Sequence, residues 1–71
     1  MNMRLCDRLQ YALKLREMKQ RQLAHLTGIT EATVSRYITG EREPKADAIY
    51  SICKALNISA DWLLGLMEDQ I

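Results

Sequence analysis

The 71-residue sequence predicts an all-α fold, a compact domain of five short helices. Three observations lead there. Apolar residues recur at three- and four-residue intervals, the period of a helix with one buried side. Residues that stop and start helices (Gly28, Thr30, Gly40, Asn57, Ser59) stand at the ends of those stretches. Gly and Pro are otherwise scarce, and the apolar content is ordinary for a globular protein.

Residues 3–17 read as the first amphipathic helix. Leu5, Leu9, Ala12 and Leu13 form its buried stripe, while Asp7, Arg8, Lys14, Arg16 and Glu17 lie mostly off it. Met18 packs at the join to the second helix. Lys19 offers no side-chain oxygen to cap the helix that begins near Gln20, so a frayed or water-capped start is expected. Leu23, Ala24, Leu26 and Thr27 give that helix an apolar side. A tight turn follows at Gly28-Ile29-Thr30: Gly28 can take the left-handed backbone that ends a helix, and the Thr30 hydroxyl is placed to cap the next.

In the third helix Val34 and Ile38 point one way, and Glu31, Ala32, Ser35 and Arg36 another, with Gly40 as the stop. The polar connection Glu41-Arg42-Glu43-Pro44-Lys45 leads into a helix from about Ala46 to Leu56, with Ile49, Ile52, Cys53 and Leu56 on one side. Asn57 ends it, and Ser59 caps a fifth helix with Asp61 in its first turn. That last segment is too apolar for one core: Trp62, Leu63, Leu64, Leu66, Met67 and Ile71 cannot all face inward. Trp62 either plugs the core of its own chain or is buried, with Leu66 and Met67, between two copies. The second use is the expectation taken here.

Length and composition exclude much. Residues 1–71 are expected to form one domain, which buries only about 60% of its extended surface. There is room for a core but not for an enzyme with a deep pocket. No metal cluster, nucleophile–base pair or phosphate loop is present, so no enzyme, cofactor, metal or small-molecule substrate is expected. His25 reads as a surface residue. Cys6 and Cys53, the only cysteines, read as reduced thiols: Cys53 in a helix core, Cys6 on the first helix. No run of about 18 apolar residues exists, and MNMRLCDRLQ lacks an apolar signal core. The expected location is therefore the cytoplasm. The net charge of +1 conceals an asymmetry. Residues 1–45 hold nine Lys/Arg and five Asp/Glu, a net of +4, whereas residues 46–71 hold one Lys and four acids, a net of −3. Such a split hints at an anionic partner on one side, though a solvated face looks the same.

Two helices joined by a three- to four-residue turn, within about residues 20–38, form a helix-turn-helix, whose second helix enters the DNA major groove. Gln20-x-x-Leu23-Ala24, Gly28, Thr30-x-x-Thr33-Val34-Ser35-Arg36-Tyr37, Gly40, Arg42 and Pro44 together resemble the Cro/repressor helix-turn-helix family. Residues 55–64, Ala-Leu-Asn-Ile-Ser-Ala-Asp-Trp-Leu-Leu, resemble the end of the same domain in lambdoid phage repressors. The resemblance implies a lambda-repressor-like five-helix domain that binds operator DNA, usually as a two-fold dimer on a near-palindrome. It gives Gln20 a backbone contact that braces the recognition helix, and puts Glu31, Ala32 and Arg36 at base-reading positions. Thr33 and Tyr37 fall where phosphate or thymine methyl is often touched. The sequence departs from the family at Lys19 (commonly Ser or Thr), Asn57 (commonly Gly) and Leu13 (often a phosphate-binding Arg). Glu31 and Ala32 replace glutamines that some phage repressors carry, so no operator sequence transfers.

The chemistry of these side chains refines the expectation. Arg36 can fork onto guanine O6 and N7; its competing uses are a phosphate contact or an ion pair with Glu31 or Glu41. Glu31 either accepts from cytosine N4 or simply complements a helix N-terminus. Ala32 fits a thymine methyl, and Ser35 reaches phosphate or is solvated. Lys19, Gln20, Arg21, Arg42 and Lys45 are the expected phosphate contacts, while a solvated face explains Arg4, Arg8 and Arg16 equally well. The leading expectation is a sequence-specific transcription regulator of phage or prophage type, a homodimer on duplex DNA in a bacterial or phage-infected cell. The competing one is a protein-binding module, an antitoxin or adaptor, on the same fold.

Overall fold

The computed structural model describes residues 3–68. Its five helices are α1 (Leu5–Leu15), α2 (Gln20–Thr27), α3 (Glu31–Thr39), α4 (Ala46–Leu56) and α5 (Ala60–Leu63), with no strand among the described residues. Each helix places at least one side chain in a single core: Leu9, Leu23, Val34, Ile52, Leu56 and Leu63 are all but solvent-free. Burying each such side chain contributes about 1.5–3 kcal/mol, and this shared core packs α2 against both α3 and α4. Among the described residues no helix is long and apolar enough to cross a membrane.

Several helix ends follow one pattern. Glu17 and Asn57 both turn through φ 54°, and Gly65 through φ 85°. After each, a backbone N–H reaches back five residues: Met18 to the Leu13 carbonyl (2.9 Å), Ile58 to that of Cys53 (3.0 Å), Leu66 to that of Asp61 (2.7 Å). This left-handed ending satisfies carbonyls that a helix terminus leaves bare, and it favours an apolar residue at the reaching position. Met18 packs against the core and Ile58 is buried in it, but Leu66 remains 76% exposed. The first helix thus stops at Leu15, short of the expected residue 17, because Glu17 supplies the turn.

As expected, no side chain caps the start of α2, although Gln22 helps to order it by accepting the Lys19 backbone N–H at 3.0 Å. Other expectations need correction. Leu26 does not join the apolar side of α2; it is 58% exposed, at the rim of a groove it shares with Tyr50 and Lys54 of α4. Arg8 is buried rather than off the stripe. Its Nη1 donates to the Trp62 carbonyl at 3.1 Å, its Nη2 lies 3.6 Å from Glu68, and its guanidinium covers the Trp62 ring at 5.2 Å. A buried cation is tolerated only with such partners. Arg16 is likewise occupied, donating to the Leu56 and Asn57 carbonyls at 2.8 and 3.0 Å, where the negative end of α4 attracts it.

The apolar C-terminal segment also resolves differently from expectation. Trp62 is 4% exposed, packed beneath Arg8 and 5.8 Å from the Tyr11 ring, so it belongs to the core of its own chain and has no area left for a second copy. Met67 is half-buried against that core. Leu66 keeps its full face to solvent, and Ile71 lies outside the described residues. Cys6 and Cys53 are free and buried, and burial pushes the Cys53 thiol pKa up.

Candidate nucleic-acid interface

The turn between α2 and α3 is built from short polar side chains. Gly28 ends α2 at φ 75°, with its N–H on the Ala24 carbonyl at 2.9 Å. The Thr27 hydroxyl donates back to the Leu23 carbonyl at 2.8 Å and accepts from the Ile29 N–H at 3.2 Å. The Thr30 hydroxyl then accepts from the Thr33 N–H at 3.2 Å, capping α3. With Leu23 and Val34 both solvent-free beneath the turn, the angle between the two helices is set by packing as well as by the loop.

The far end of α3 is held from another element. Gln10, on α1, donates its side-chain amide to the Ile38 carbonyl at 2.7 Å. Gly40 closes the helix at φ 85°, and its N–H and that of Arg42 both reach the Arg36 carbonyl, at 3.1 and 3.3 Å. Sequence spacing does not mark Gln10, because its partner lies 28 residues away. The third helix is therefore fixed at both ends and through its buried side.

Its outer side is open. Glu31, Ala32 and Arg36 are exposed, Thr33 and Ser35 half-buried. Among the described residues no hydrogen bond or ion pair engages the Arg36 side chain, so the ion pairs weighed for it with Glu31 and Glu41 are not formed. Glu31 turns toward α2 instead, with Gln20 Nε2 at 3.5 Å and Arg21 Nε at 3.8 Å. That pair is solvent-washed, with Arg21 87% exposed, and contributes at most about 1 kcal/mol. Tyr37 departs from expectation. It is 7% exposed and part of the core, because it sits three residues after Val34 on the same side of α3. Packing accounts for it, and no phosphate contact is carried forward for it.

Around this face stand Lys19 and Arg21 at the start of α2, and Arg42 and Lys45 in the connection after α3, all exposed. Gln20 is half-buried beside Glu31. Pro44 is buried and anchors the connection that carries Arg42 and Lys45. Among the described residues no three His, Cys, Asp or Glu side chains gather as a metal site.

With this geometry in view, comparison with known proteins is informative. The profile of the Helix-turn-helix family matches residues 9–63, most of the chain. The chain belongs to the Cro/repressor-type helix-turn-helix family. Within it, the chain is similar to the HTH-type transcriptional regulator DicA of Escherichia coli (strain K12), 30% identical over 69 residues, covering 97% of this chain and 51% of DicA. It is also similar to the uncharacterized HTH-type transcriptional regulator YobD of Bacillus subtilis (strain 168), 28% identical over 64 residues, covering 90% of this chain and 57% of YobD. The chain spans about half the length of these curated relatives. Among solved structures it is similar to the P22 c2 repressor protein in complex with synthetic operator 9T, with a TM-score of 0.82 and 25% identity over 89% of this chain and 96% of that one.

Proposed function

We propose that this chain binds duplex DNA sequence-specifically and regulates transcription, as a repressor of phage or prophage type working in the cytoplasm. One observation carries the reading. The exposed side of α3 presents an unengaged guanidinium, Arg36, on a helix locked at both ends by Thr30 and Gln10. A rigid, solvent-facing recognition helix is what reading base edges requires, since specificity is lost when the reading groups are free to re-orient. The relatives named as transcriptional regulators, and the repressor solved on its operator, support the same reading.

In this reading residues 1–71 act as one DNA-binding domain. Arg36 forks onto a guanine, Ala32 meets a thymine methyl, and Glu31 accepts from cytosine N4 or repels bases that present acceptors. Lys19, Gln20, Arg21, Arg42 and Lys45 neutralise flanking phosphates, with Thr33 and Ser35 as short hydroxyl contacts. Repression follows from occupancy rather than chemistry: the protein stands where polymerase would. Two copies on a near-palindromic operator place their recognition helices about 34 Å apart, one turn of DNA.

Selection of bound sites from random duplexes tests binding, base preference and half-site spacing together, with two half-sites about one helical turn apart as the expected result. On the selected site, Arg36→Ala is expected to cost about 1–3 kcal/mol and to relax choice at one base position. Arg42→Ala is expected to weaken binding to all sequences alike and to flatten the salt dependence. Unchanged operator affinity and salt dependence in both variants would refute the contact assignment.

A further inference from the structure

The cations of α1 and its lead-in have unequal fates. Arg8 and Arg16 are spent inside the molecule, on carbonyls of the C-terminal segment and of α4. Arg4 is not. Its backbone N–H is taken by Asp7, Oδ2 accepting at 3.1 Å, but among the described residues its guanidinium has no hydrogen bond or ion pair. The side chain nevertheless has a definite seat. Arg4 Nη2 lies 2.6 Å from the point where a Cβ on Gly40 would stand, with Cys6 Sγ 3.1 Å from the same point. A Cβ there would push the flexible end of Arg4 aside, and the φ of 85° favours glycine in its own right.

The seat opens into a cavity of about 170 Å³ lined by Arg4, Arg42 and Glu43 together with the apolar Leu5, Cys6 and Tyr37. The charged residues of its lining are two arginines and one glutamate. It lies at the end of α3, four residues and roughly 6 Å of helix rise beyond Arg36. The negative end of the helix holds cations there, and the cavity stays open to solvent.

From this arrangement we propose that Arg4 and Arg42 together form a seat for one phosphate of the DNA backbone at the C-terminal end of the recognition helix, with Gly40 as the floor that lets Arg4 reach it. This rests on the DNA-binding reading above and adds a contact that reaches the interface from a distant part of the sequence. A guanidinium pair suits phosphate because its planar donors fork onto two oxygens.

The test is binding to a random-sequence duplex over a range of salt concentrations, using wild type, Arg4→Gln and Arg4→Lys. Arg4→Gln is expected to weaken binding severalfold at 0.1 M salt and to flatten the slope of log affinity against log salt by less than the roughly 0.9 of a whole phosphate contact, because Arg42 still holds the same phosphate. Arg4→Lys retains the charge and is expected to keep the wild-type slope. A purely structural Arg4 would instead shift the thermal midpoint while leaving the slope unchanged, and that result overturns the proposal. A second measurement scans single neutral methylphosphonates along the duplex. One and the same position is expected to weaken wild type more than it weakens either Arg4→Gln or Arg42→Gln, whereas separate positions for the two variants would refute a shared seat. A wild type that does not bind duplex at all would bring down the DNA-binding reading itself, and this proposal with it.

Discussion

At Glu17 the backbone turns through φ 54°, a conformation in which a side chain crowds the neighbouring carbonyl. Asn57 holds the same φ more comfortably, since its short amide tolerates the left-handed region, and Gly65 carries no Cβ to clash. Glu17 is therefore the strained member of the three endings. Relief of about 1 kcal/mol of steric cost, less the extra freedom glycine gives the unfolded chain, leaves a net gain of roughly 0.5 kcal/mol for Glu17→Gly. Urea unfolding followed by circular dichroism is expected to show a higher midpoint for the variant with an unchanged slope. A lower midpoint would mean that the Glu17 side chain contributes something the geometry does not reveal. Trp62 carries a related lesson at this scale: Trp62→Ala would remove a core side chain and cost about 3–5 kcal/mol, so it reports on folding before it reports on self-association.

The recognition helix is nine residues long, too short to persist in water on its own propensity. It exists because its ends are satisfied and its buried side is packed. Thr30 serves the first turn through its hydroxyl on the Thr33 N–H; Gln10 and Gly40 serve the last. Removing the cap with Thr30→Ala is expected to cost about 1 kcal/mol, read as a lower denaturation midpoint, and Thr30→Ser is expected to restore most of it. Equal midpoints for Thr30 and Ala at this position would show that solvent caps α3 as well as the hydroxyl does. The same principle explains why α1 matters to a surface it does not belong to. Through Gln10 it fixes where the far end of α3 points, and through Arg16 it ties itself to the end of α4.

At the scale of the whole molecule, the cations of the α3 face and the apolar residues beyond α5 mark two separate surfaces. The exposed cations Lys19, Arg21, Arg36, Arg42 and Lys45 gather on and around α3, whereas Leu64 and Leu66 emerge beyond α5 at 48% and 76% exposure. In the proposed dimer Leu66 is the main apolar contributor and Met67 a partial one, because Trp62 is already spent within its own chain. Sedimentation equilibrium is expected to show concentration-dependent dimerisation for wild type and its loss in Leu66→Glu, which introduces a charge into the contact without touching the core. Identical monomers across the accessible concentration range would place the dimer contact elsewhere or make it depend on DNA.

Local patterning was enough for much of this. Period-3.6 stripes located the helices, α4 to the residue, and Gly28, Thr30, Gly40, Asn57 and Ser59 set their ends, because caps and left-handed turns act over three or four neighbouring residues. The same locality made the exposed side of α3 readable from spacing. What remained hidden depends on partners far along the chain. Whether Arg8 is solvated or buried is decided by the Trp62 carbonyl 54 residues away, and whether Gln10 is idle or holds α3 by the Ile38 carbonyl. Tyr37 and Trp62 look like interface residues in a linear reading; tertiary packing assigns both to the core, since a shared interior draws in large apolar side chains. Sequence alone marked where the helices lie and most of their ends, through caps and turns that act within a few residues. Only the folded arrangement decided which charges are left over for a partner, because a cation is free only after every carbonyl and carboxylate the fold brings to it has been counted.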